Sequence, residues 1–160
     1  MRKLSLIMAV LCLCSLPASA SVWNAIGSEG IIDESSLNLY AFTGARLEFR
    51  PGATGTIVAR YPIHPDDVTI DPNGFFTLGY AQNGVTVRLM EASFCIPRER
   101  VLCQIGPTTF PVGEPGLMCT TCQPEDIDHM NFQQNAYYFE VTLTRATTAS
   151  SPKLLMLSLP

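Results

Sequence analysis

Hydrophobic and polar positions alternate along most of this chain. In the stretch 56–61, Ile57, Ala59 and Tyr61 share one face, while Thr56 and Arg60 lie on the other. Val85, Val87 and Leu89 repeat the pattern around Thr86 and Arg88. The longest run covers 137–144, with Tyr137, Phe139, Val141 and Leu143 on one side and Tyr138, Glu140, Thr142 and Thr144 on the other. A period of two sets one face against a core and the other in water, as in an antiparallel sheet. Shorter runs at 37–42, 46–50, 75–80, 101–105 and 154–159 fit the same template.

Turn chemistry separates these runs. Thr43-Gly44, Arg50-Pro51-Gly52, Asp71-Pro72-Asn73-Gly74 and Asn83-Gly84 supply the positive φ or fixed φ that reverses a chain. No segment after residue 20 sustains a 3.6-residue period for three turns. The expectation is an all-β protein, an antiparallel two-sheet β-sandwich of jelly-roll type with about eight strands. An up-and-down barrel is the competing arrangement. One segment breaks the rhythm: 104–131 carries Pro107, Pro111, Pro115 and Pro124 with Gly106, Gly113 and Gly116. It is expected to be a long stapled loop region at one end of the sandwich, the place to look for a site. The stretch 135–145 resembles the close of various secreted bacterial β-sandwich proteins, which implies the fold only.

The first twenty residues change where this protein is expected to work. Met1-Arg2-Lys3 leads into an apolar run and then Pro17-Ala18-Ser19-Ala20, the order of a cleaved signal peptide. The apolar run falls short of the roughly 20 residues a spanning helix needs. Residues 1–20 are therefore read as a signal peptide and 21–160 as one domain, exported to a periplasm or the extracellular space. No later stretch is long and apolar enough for a membrane span. The chain has 14 acidic residues and a formal net charge of −4, and removing Arg2 and Lys3 makes it more negative. Lys153 is then the sole lysine. That balance excludes a polybasic nucleic-acid surface.

Export also decides how the cysteines are counted. Cys95, Cys103, Cys119 and Cys122 remain, an even set in an oxidising compartment, and are read as disulfides. Pairing Cys95 with Cys103 across a hairpin and Cys119 with Cys122 yields roughly 2.6 and 1.9 kcal/mol of loop entropy. Pairing Cys103–Cys119 and Cys95–Cys122 yields roughly 3.1 and 3.6 kcal/mol. Adjacency in sequence tips the balance to the hairpin pairing. Zinc is the weaker alternative, because only one Cys-x2-Cys knuckle is present. A redox role for Cys119 and Cys122 lacks the helix N-terminus that lowers a thiol pKa.

Candidate chemistry is sparse. Glu125, Asp126 and Asp128, next to His129, offer oxygen ligands for calcium, against the plainer reading of a solvated loop. No other cofactor is implied. His64 and His129 fall in no nucleophile or metal motif, and neither a G-x-S-x-G elbow nor an H-E-x-x-H helix occurs. Tyr138 is outward on its strand and is the candidate for stacking on a sugar ring. Arg60 and Arg88, also outward, are candidates for an anionic group, or for cross-strand pairing with Glu140. The function expected is a non-catalytic module that binds a carbohydrate or another extracellular polymer or protein. The alternatives are a structural or assembly subunit, and a hydrolase using loop carboxylates. The sequence leaves the oligomeric state open.

Overall fold

The computed structural model describes residues 23–65, 75–81, 84–107, 116–121 and 130–159, the side chains of 75–81, 116–121 and 159 excepted. The strands are β1 (Trp23–Ile26), β2 (Ile31–Ile32), β3 (Tyr40–Thr43), β4 (Arg46–Phe49), β5 (Gly55–Ile63), β6 (Phe75–Ala81), β7 (Val85–Ser93), β8 (Glu99–Ile105), β9 (Gly116–Thr121), β10 (Asn135–Arg145) and β11 (Lys153–Leu159). One sheet runs β3-β4-β11-β6-β9, with β1 on β11; the other runs β2-β5-β10-β7-β8. All pairings are antiparallel.

The order is that of a jelly roll. Within β4 to β11, the pairs β4/β11, β5/β10, β6/β9 and β7/β8 nest one inside the next. Rolling that double ribbon gives two four-stranded layers, β4-β11-β6-β9 and β5-β10-β7-β8, as two Greek keys do. The expected barrel alternative is excluded. β3 widens the first sheet beyond β4, β2 widens the second beside β5, and β1 pairs with the later part of β11, Met156–Leu159, that β4 leaves unpaired on the side away from β6.

The alternating residues meet between the layers. Ile57, Ala59, Val85, Val87, Leu89, Phe139, Val141 and Leu143 from the second sheet are fully buried, as are Leu47, Leu154 and Leu157 from the first. Burying each such large aliphatic side chain is worth about 1.5–3 kcal/mol. Trp23 lies 5.2 Å from Phe139 between ring centroids, joining β1 to the opposite layer. The Tyr61 hydroxyl donates to the Gly27 carbonyl at 2.8 Å, and burial pushes its phenol far above the ordinary range. Gly27 is required there, since a Cβ would run into the Leu154 carbonyl.

The turns follow their residues. Thr43 pairs with Arg46 around Gly44 at φ 60°. Pro51 and Gly52, at φ 78°, make a turn closed by Ala53 N–H to Arg50 O at 3.1 Å. Three expectations need correction. The run 37–42 is strand only from Tyr40, because Asp33 caps a 3₁₀ turn at Glu34–Ser36 and Leu37 closes it. The region 104–131 is not one long loop: its start belongs to β8, and Gly116–Thr121 is an edge strand paired to β6. Cys95 is not bridged to Cys103: it is a free, exposed thiol, whereas Cys103 is disulfide-bonded.

Candidate functional site

The outward face of the β5-β10-β7-β8 layer carries a polar row built by register. Arg60 faces Glu140, Glu140 faces Arg88, and Arg88 faces Gln104 on four successive strands. Their side chains join up. Glu140 accepts from Arg60 and Arg88 at 3.4 Å each, and Arg88 Nε donates to Gln104 Oε1 at 2.9 Å. At the other end Arg60 Nη1 donates to Asp33 at 3.0 Å. The Ser35 hydroxyl at 2.6 Å and the Arg60 guanidinium hold the Asp33 carboxyl down to about 2. Both arginines stay well exposed, at 42% and 39% of the side chain, so such pairs add little stability each.

Tyr138 sits on the same face of β10, one pleat from Glu140, opposite Pro62 and Met90. It is half-buried, and desolvation first, then the neighbouring Glu99 carboxylate, raise its phenol pKa. The structure therefore brings Tyr138, Arg60 and Arg88 to one surface, and shows both arginines pairing with Glu140. Trp23, the single tryptophan, is buried in the core.

Beside the row, toward the start of β7, lies an open groove of about 570 Å³ lined by Gly84, Thr86, Arg88, Pro107, Thr142, Thr144, Ala146 and Ser150. Thr86 and Thr142 are cross-strand partners that form its floor. Gly84 allows one rim: at φ 91° its carbonyl accepts from Thr144 N–H at 2.8 Å, and a Cβ would come within 2.4 Å of the Thr144 oxygen. The far rim is the turn after β10. Arg145 anchors it, donating to Thr148 O at 2.8 Å, Thr147 O at 3.3 Å and Ala53 O at 3.1 Å, with its guanidinium 5.8 Å from the Phe49 ring centre.

Sequence reasoning found the arginines and Tyr138 but not this groove. The outward Thr86, Thr142 and Thr144 read as ordinary strand residues, and only register sets them against Arg88. Arg145 gave no signal, because its partners are backbone carbonyls, those of Thr147 and Thr148 in the next turn and that of Ala53 far away in sequence.

At the opposite end of the same sheet, the β7–β8 turn exposes Phe94 and Ile96 at 64% and 62%, beside the free Cys95. Glu91 lies below it, accepting from the Tyr137 hydroxyl at 2.9 Å and pairing with Arg100 at 3.3 Å. Among the described residues no cluster of His, Cys, Asp and Glu is placed to hold a metal. Glu125, Asp126 and Asp128, the calcium candidates, lie outside the described residues, as do the side chains of Cys119 and Cys122 and the whole of 1–22. Among the described residues no helix is long and apolar enough to cross a membrane.

No protein-family model matches the chain, and neither does any curated protein. Among solved structures, the xylan-binding module CBM15 is similar over 88% of this chain and 96% of its own, with 13% identity and a TM-score of 0.49.

Proposed function

We propose that this protein is an exported, non-catalytic binding module that holds an extracellular carbohydrate chain against the outward face of its β5-β10-β7-β8 sheet. One observation supports the reading above others: the groove beside Arg88 is open, and its described lining is largely hydroxyl-bearing and small residues, Thr86, Thr142, Thr144, Ser150 and Gly84. A saccharide presents hydroxyls all round, and such a surface meets them with donors and acceptors rather than with an enclosed apolar cavity. The backbone beneath is fixed by the core on the other side of the same strands, so the groove needs little ordering when it binds. Tyr138 adds an aromatic face farther along β10, in line with Glu140 and Thr142.

The test is a polysaccharide panel read by affinity electrophoresis and calorimetry on the purified protein. Wild type is expected to be retarded by at least one polymer, and Thr142→Val to weaken that binding by about fivefold to tenfold, the loss of one hydrogen bond to a ligand. The valine variant should melt within a few degrees of wild type. A folded protein that binds no polymer of the panel would remove the carbohydrate reading.

A further inference from the structure

Charge along the outward row alternates: Asp33, Arg60, Glu140, Arg88 and then the neutral Gln104. Arg60 has a carboxylate on each side of it. Arg88 has one, Glu140, at 3.4 Å, and shares that one with Arg60. The row is therefore electropositive at its Arg88 end, and that is the end where the groove lies.

Arg88 offers unused donors there. Its Nε is committed to Gln104 and Nη1 to Glu140, while Nη2 donates to no described residue. A guanidinium carries five N–H groups in a planar fork, so the Nη2 donors remain for an incoming acceptor. Among the described lining residues Arg88 is the only charged one, and no carboxylate joins it. The hydroxyls of Thr86, Thr142 and Thr144 flank it without described partners of their own.

We infer that the groove selects a glycan bearing carboxylates, a uronic-acid polymer, through a charge-assisted hydrogen bond from Arg88. A carboxylate accepts strong, charge-assisted hydrogen bonds from a guanidinium, and Glu140 takes up only Nη1 of this one. The sugar hydroxyls next to that carboxylate then fall to the threonines. The inference rests on the carbohydrate reading above and narrows it.

The experiment compares ligands that differ only at the acid. Polygalacturonate, the same polymer with its carboxylates methyl-esterified, a neutral xylan and a sulfated galactan are titrated against wild type, Arg88→Gln and Arg88→Lys. Wild type is expected to bind polygalacturonate at least about tenfold more tightly than its methyl ester, a factor worth 1.4 kcal/mol. That preference should weaken with added salt, vanish in Arg88→Gln and survive in part in Arg88→Lys, which keeps the charge but not the fork. The ester comparison needs no variant, so it decides the matter even if Arg88→Gln folds poorly.

Equal binding of acid, ester and xylan would overturn the inference and leave the carbohydrate reading standing. Binding of the sulfated galactan alone would overturn the carboxylate assignment. Binding of none of the four, extended to the wider panel, would bring down both.

Discussion

Asp33 shows how one residue does two jobs. It caps the 3₁₀ turn through Ser35 and anchors the charged row through Arg60. The Ser35 hydroxyl first, and Arg60 second, hold its carboxyl at about 2, below the ordinary 3.8. A depressed acid stabilises the fold fully above its unfolded pKa, and that contribution fades as the pH falls through the folded one. Carboxyl-carbon NMR should place the Asp33 midpoint near 2 in wild type and distinctly higher in Ser35→Ala. In Asp33→Asn the loss of stability between about pH 4 and 2 should be shallower than in wild type. An Asp33 that titrates at its ordinary value would mean that the Ser35 and Arg60 contacts are not held in solution.

At the scale of elements, the turns set the groove. Gly84 leads into β7 at a backbone angle that L-residues seldom adopt, with the Thr144 carbonyl packed where a side chain would go. Gly84→Ala is expected to cost about 2 kcal/mol or more, read as a lower urea midpoint at unchanged slope. An unchanged midpoint would show that this rim relaxes freely. These elements also mark how far the sequence could be read. Alternation identified every strand of the nested eight except β9, where Pro115 and Gly116 read as loop and Leu117-Met118-Cys119 shows no alternation. β1 and β2 escaped for simpler reasons. β1 sits just after the apolar leader with no turn signal to set it off, and the two residues of β2 show no period, packing by their place beside Arg60 and Ala59. The same period put Tyr138, Arg60 and Arg88 on one face. It gave no hint of depth, because the groove depends on which threonines register places opposite one another and on where Arg145 ties the following turn.

Across the whole molecule, one core holds both layers. Phe139 is fully buried and meets Trp23 from the other sheet. Phe139→Ala is expected to cost about 3–5 kcal/mol. Trp23 is the only tryptophan, so its emission reports this contact directly and should shift to the red in that variant. A blue emission retained at wild-type stability would mean the layers meet elsewhere. The nesting of the strands has a consequence in time. The inner pair β7/β8 joins residues close in sequence, such as Leu89 and Cys103, and can close soon after it is made. The outer pair joins Leu47 to Leu154, so β4, though it meets β3 early, waits for β11 on its other side until more than a hundred residues later. β11 also lies between β4 and β6, and without it one layer has no middle. The sandwich therefore closes only once β11 has slotted between β4 and β6, whatever its earlier strands have already paired.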